Sequence, residues 1–175
     1  MKFTLANGLA AIGNGLGILK TEPSTRWQRA CALGKGYVFQ GSNADINAGD
    51  SILLIKNLSD EILYYHAIWL HPANVVEEYD IGFGSLTATL AGTELTGRVI
   101  GNPGKTVSKV SAYGDETAIS DADISMSVWN AITHSEKYDL EGFFSEMNQY
   151  MQVNQEIEGT SGNATVFCYH SSEAP

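Results

Sequence analysis

The sequence predicts an all-β fold, a β-sandwich or jelly roll, with an extended N-terminal arm and one short helix near residues 139–153. Three observations predict it. From Tyr37 onward, short apolar stretches alternate with clusters of Gly, Asn, Asp, Ser and Pro, the punctuation of strands joined by turns. Hydrophobic residues make up 43% of the 175 positions, enough for a buried core and too many for a wholly disordered chain. No run approaches the roughly 18 consecutive apolar residues of a membrane helix, and neither heptads nor a Gly-X-Y period is sustained.

The predicted organisation is an arm over residues 1–36 and a sandwich over residues 37–175. In the arm, Gly13, Gly15 and Gly17 and then Thr21-Glu22-Pro23-Ser24-Thr25 give turn and linker signals with little periodicity. The glycines and asparagines also interrupt any signal-peptide core, so the segment is expected to stay in the mature protein. Phe3, Leu5, Leu9, Ile12 and Leu16 are costly to leave in water, so the arm is expected to lie against its own body, a neighbouring subunit or a larger partner.

In the body, Tyr37-Val38-Phe39-Gln40 reads as the first strand, followed by turn chemistry from Gly41 to Asp50. Ser51–Ile55 and Ile62–Leu70 are nearly continuous apolar runs, as expected of strands covered on both faces. Leu86, Ala88 and Leu90 alternate with threonines, and Ile124, Met126, Val128 and Ile132 are expected to share one apolar face. Strands over 95–100 and 106–113 flank the turn Gly101-Asn102-Pro103-Gly104, and Thr165–His170 closes the set. Leu140, Phe143, Phe144, Met147, Tyr150 and Met151 follow i, i+3, i+4, i+7 spacing behind a possible Asp139 cap, and this spacing predicts the helix.

Charge is uneven. Residues 1–36 hold Lys2, Lys20, Arg26, Arg29 and Lys35 against Glu22 alone, a balance of +4, which leaves −14 for the remainder of a chain whose net charge is −10. A body of that sign repels nucleic acid and anionic membrane, since binding either depends on Lys and Arg displacing counterions; neither is expected as a partner. The basic segment suits an acidic protein surface.

Motifs that carry catalysis are missing from the sequence. His66 and His71 are five apart and are expected on opposite sides of a strand, unlike the paired ligands of a cupin-type metal site. Gly13-Asn14-Gly15-Leu16-Gly17 is not a dinucleotide fingerprint, and Asp121 and Asp123 lack the other positions of a calcium loop. The adjacent pairs Asp60-Glu61, Glu77-Glu78 and Asp115-Glu116 read as solvated loops, because neighbours in a chain do not face each other across a substrate. Cys31 and Cys168 read as buried free thiols. No enzyme activity, metal or cofactor is expected. Trp69, Trp129, Tyr64, Tyr65 and Tyr113 keep open a sugar-stacking platform on one sandwich face.

The stretch from Gly36-Tyr37-Val38-Phe39 through Gly49-Asp50-Ser51 to Lys56-Asn57-Leu58-Ser59-Asp60 resembles structural proteins of tailed-phage particles, as do Arg98–Gly104 and Ser111–Asp115 in style. The resemblance spans about residues 30 to 130, is one of texture rather than an invariant motif, and does not include the expected helix. It implies a non-enzymatic capsid decoration or cement protein on the outer surface of the virion. Its expected partner is the major capsid protein, and a homotrimer is favoured because three arms raise avidity. Under this expectation Phe3, Leu5, Leu9, Ile12, Leu16, Arg26, Trp27 and Arg29 contact the shell, the Trp and Arg side chains being the interface types that most often dominate binding energy. The alternatives are a glycan- or receptor-binding module of a tail or fibre and a metal-dependent cupin-like enzyme.

Overall fold

The structure is a computed structural model that describes residues 2–4, 10–12, 25–43, 51–72, 77–85, 90, 92–102, 104–115, 123–130, 135–156 and 161–172. The expected strand residues 86–89 and residue 132 lie outside them. Its elements in chain order are β1 Lys2–Thr4, β2 Ala10–Ile12, α1 Arg26–Ala32, β3 Gly36–Asn43, β4 Ser51–Asn57, β5 Ile62–Pro72, β6 Glu77–Ser85, β7 Thr93–Leu95 and β8 Arg98–Val99. They continue with β9 Val110–Gly114, β10 Asp123–Asn130, β11 Glu136–Asp139, β12 Phe144–Ser145, β13 Gln149–Gln155 and β14 Gly162–Ser171.

The body is an all-β sandwich of two antiparallel sheets. One runs β10-β6-β13-β4-β9-β7 and the other β11-β5-β14-β3-β8, with β12 also paired to β5. The chain changes sheet at each step from β3 to β6, stays in the first sheet from β9 to β10, and crosses again from β12 to β13 and from β13 to β14. The order β3-β14-β5-β11 against β4-β13-β6-β10 is that of a jelly roll, with β7, β8 and β9 as additions.

The inward faces make one core, in which Phe39, Ile52, Ile55, Tyr65, Ile68, Leu70, Ile81, Met151, Val153 and Val166 are nearly or fully removed from water. Strand β4 is buried along almost its whole length, as its unbroken apolar run predicts. Its far side is covered too, where Leu54 packs with Tyr150, Leu90 and Tyr113.

Three expectations are corrected. Residues 139–153 do not form the predicted helix: β11 ends at Asp139, a turn follows, and β12 and β13 take the rest. Gly142 and Asn148 have positive φ of 99° and 67°, which no helix accepts, and β13 is held by ladders to β4 and β6 on both sides. Phe143 stacks on Phe83 with ring centres 5.1 Å apart while Met147 faces solvent, so the shared helical face does not exist.

Residues 25–35 are not loose arm. Thr25 opens α1 through a reciprocal capping box, accepting from the Gln28 amide at 3.2 Å while its own N–H donates to Gln28 Oε1 at 3.0 Å. The helix ends in a paired C-terminal motif: the N–H of Gly34, at φ +70°, donates to Cys31 O and that of Lys35 to Ala30 O. Finally, Ile124 is exposed rather than sharing the face of Met126 and Val128, because a register shift between Ile124 and Met126 flips its side.

Candidate functional site

The expected contact residues divide into three groups. Phe3 and Ile12 lie on β1 and β2, which form a two-stranded antiparallel sheet of their own, with Phe3 opposite Ala11 and Lys2 opposite Ile12. Among the described residues, these two strands pair with no strand of either large sheet. Leu5, Leu9 and Leu16 lie outside the described residues. Arg26, Trp27 and Arg29 sit on α1, where the two arginines are exposed and Trp27 turns toward the body.

Trp27 is spent on its own subunit. Its indole stacks on the His66 ring at 4.7 Å and meets Phe167 and Tyr169 edge-on at 6.3 and 5.8 Å. Tyr169 in turn stacks on Tyr64 at 5.4 Å, and the Arg26 guanidinium lies 5.9 Å from the Tyr64 ring centre. A seven-residue helix is marginal alone, so this aromatic floor is what holds α1 on the outer face of β5 and β14.

His66 and His71 are on the same outer face, contrary to the opposite faces expected from their spacing. The β5–β14 ladder pairs Phe167 with Ala67 but Cys168 with Tyr65, so β5 carries one extra residue at His66 and the side-chain parity shifts. They do not converge: His66 lies under Trp27, whereas His71 Nδ1 is 2.8 Å from Ser135 Oγ. Among the described residues, no three His, Cys, Asp or Glu side chains gather as a metal site would require.

The carboxylate pairs also part company. Glu77 is not solvated: it is fully buried on β6 and accepts a hydrogen bond from Gln155 Nε2 at 2.9 Å, while Glu78 is half-buried. Nearby, burial together with Asp80, Glu78 and Glu77 holds the Glu156 carboxyl above its usual range. Glu61 pairs with Lys35 at 2.5 Å and Asp60 with Lys109 at 3.5 Å. Glu116 is outside the described residues. Cys168 is buried and Cys31 partly so, and burial raises both thiols, which disfavours nucleophilic thiolate.

A buried polar network closes one end of the core. Asn57 Nδ2 donates to the carbonyls of Glu61 and Ser145, each at 2.9 Å, which leaves Oδ1 to accept from the Ser59 N–H at 2.9 Å and His170 Nε2 at 3.1 Å. His170 Nδ1 lies 3.2 Å from the Tyr37 hydroxyl. One ring nitrogen donating and the other accepting is the pattern of a neutral imidazole. Burial is the first cause that lowers His170 from 6.5 to about 4, and burial likewise pushes Tyr37 up to about 12, so its proton stays available for the bond. The network is a packing device with its hydrogen bonds satisfied internally.

Of the aromatic residues expected to form a sugar platform, Tyr65 is core, Tyr64 is buried under α1, and Tyr113 packs beside Leu54. The side chain of Trp129 is outside the description. Trp69 does face solvent, at 43% exposure, on the outer face of β5. Its neighbours Gln40, Asn163 and Thr165 were not foreseen, although the alternation Asn163, Thr165, Phe167 against Ala164, Val166, Cys168 marks the face. Compared with protein-family models, curated proteins and solved structures, the chain matches none of them.

Proposed function

We propose that the chain is a non-enzymatic structural protein of a virus particle, a capsid decoration or cement protein that attaches to the outer shell through its N-terminal arm. The observation that carries the reading is the strand pair Lys2–Thr4 and Ala10–Ile12, which among the described residues forms a sheet of its own outside the sandwich. An isolated pair of three-residue strands is marginal in water, and such a pair gains stability by adding to the edge of another protein's sheet or filling its groove. The +4 balance of the first 36 residues favours an acidic receiving surface, and the −14 remainder keeps neighbouring bodies apart.

The jelly-roll order supports the same class, since viral capsid proteins and lectins use that wrap, though this is an analogy of fold. Because Trp27 is committed to its own body, the attachment element narrows to residues 1–24, with Arg26 and Arg29 exposed beside it. A trimer would make the second and third arm contacts effectively intramolecular.

The test is reconstitution on particles lacking the protein. The full chain is expected to bind saturably in many copies per particle, and a chain without residues 2–24 is expected to keep its β-sheet circular dichroism but lose binding. Undiminished binding by the folded truncated chain overturns the arm mechanism, and a handful of copies per particle overturns the shell location.

A further inference from the structure

The outer face of β5, β14 and β3 carries a feature the arm mechanism does not use. Cross-strand register places Lys137, Trp69, Thr165 and Gln40 in one row, with His71, Asn163 and Ser42 in the next. Trp69 stands in an open groove of about 380 Å³, with Phe167 beside it and Ser135 at its rim. That volume lies near the lower end for small-molecule sites, roughly 300 to 1,000 Å³, and suits one or two sugar rings.

The chemistry of the lining narrows the occupant. One broad indole face is surrounded by two carboxamides, from Gln40 and Asn163, by the hydroxyls of Thr165 and Ser135, and by the His71 imidazole. Carboxamides and hydroxyls both donate and accept, so the rim can answer a ring of hydroxyl groups whichever way each points. Among the described residues, no Asp, Glu, Lys or Arg lines the groove, in a chain where 17% of residues are charged. The nearest charge in register, Lys137, is paired with Asp139 at 2.5 Å, so that couple is neutral as a unit. A phosphate or carboxylate ligand finds no Lys or Arg among the described lining residues and meets an acidic molecule; a lipid chain would leave five polar side chains unanswered.

We propose that this groove is a carbohydrate subsite that takes a neutral pyranose, its C–H face laid on Trp69 and its hydroxyls met by Gln40, Asn163, Thr165 and His71. Aromatic rings bind such faces because one flat surface is apolar while the edge of the sugar stays polar. The subsite is built from Gln40, Trp69, His71, Ser135, Asn163 and Thr165 and the proposed attachment element is residues 1–24, so truncating the arm and substituting Trp69 test the two readings separately.

The full-length chain on a glycan array bearing neutral hexose-terminated, N-acetylhexosamine-terminated, sialylated and uronic-acid-terminated glycans tests this. Signal is expected on neutral termini. It should fall about tenfold or more in Trp69→Ala, fall in Asn163→Ala, be partly kept in Trp69→Phe, and be unchanged in Lys137→Ala. Unaltered near-ultraviolet circular dichroism of the Asn163→Ala chain keeps the comparison interpretable should Trp69→Ala fold poorly. No signal on any neutral glycan, binding confined to acidic glycans, or binding by the Trp69→Ala and Asn163→Ala chains undiminished from that of the unaltered chain overturns the proposal. So does concentration-dependent dimerisation that is lost in Trp69→Ala without any glycan signal, which would assign the face to a second copy of the chain.

Discussion

Lowering the pH from 7 to 5 probes the buried network at His170. In the native protein the imidazole is held near 4 because burial disfavours its charged form; Lys35 and Lys109 act in the same direction, and Glu61 and Asp60 oppose them. The unfolded chain titrates at the ordinary 6.5. Between those two values the unfolded state binds a proton that the native state refuses, so stability is complete above 6.5 and drains away as the pH falls toward 4. The full drop is worth about 3 kcal/mol, and the part that falls between pH 7 and pH 5 is about 2 kcal/mol. Urea unfolding of wild type and His170→Gln at both pH values isolates it, because the other titrating groups are common to both chains. They include Glu156, whose raised value works the opposite way, stabilising at low pH and losing that contribution as the pH rises. The wild type is expected to lose about 2 kcal/mol more than the variant over this interval. Equal losses in the two chains would refute a neutral, proton-refusing His170 and with it the assignment of donor and acceptor in the network.

Gly41→Ala would place a Cβ 2.1 Å from the Ile52 carbonyl oxygen, a backbone atom that cannot turn aside, at the approach of β3 to β4. A loss of about 3 kcal/mol in urea unfolding is expected, and a loss below about 1 kcal/mol would show that the two strands separate cheaply. Trp27→Ala removes the floor of α1 from His66, Phe167 and Tyr169. Because Trp27 is only half-buried, a cost of about 2 kcal/mol is expected, below that of a fully buried Trp, with loss of near-ultraviolet dichroism; an unchanged unfolding midpoint would show that the helix is held by something else.

The strands that could be read from residues are those whose pattern is local. Ile52 to Ile55 is apolar without a break because both faces of β4 are covered; Leu63 to Leu70 is apolar but for His66, and Asn163 to Cys168 alternates with one face inward. Helix α1 was legible too, since Thr25 and Gln28 spell a capping box, but the preceding Pro23-Ser24 linker signal hid it. Strand β6 was not legible: Glu77, Glu78 and Asp80 look solvated, and the burial of Glu77 rests on tertiary partners such as Gln155, brought from the far end of the chain by β13. The spacing of Leu140, Phe143, Phe144 and Met147 was helical in number but not in space, because the positive φ at Gly142 and Asn148 divides it into turns.

What residues alone determined was the all-β class, the segregation of positive charge into the first 36 positions, and the apolar runs that had to become inner strands, since each follows from composition and short-range periodicity. Tertiary structure decided the rest. That Tyr65 is core while Tyr64 and Trp69 stand on the outer face depended on the extra residue at His66, which shifts a whole strand face. Whether Trp27 was arm or body depended on Phe167 and Tyr169, more than a hundred residues away. Burial and register are properties of strand pairs, and a pair is made by two segments that the chain itself keeps far apart.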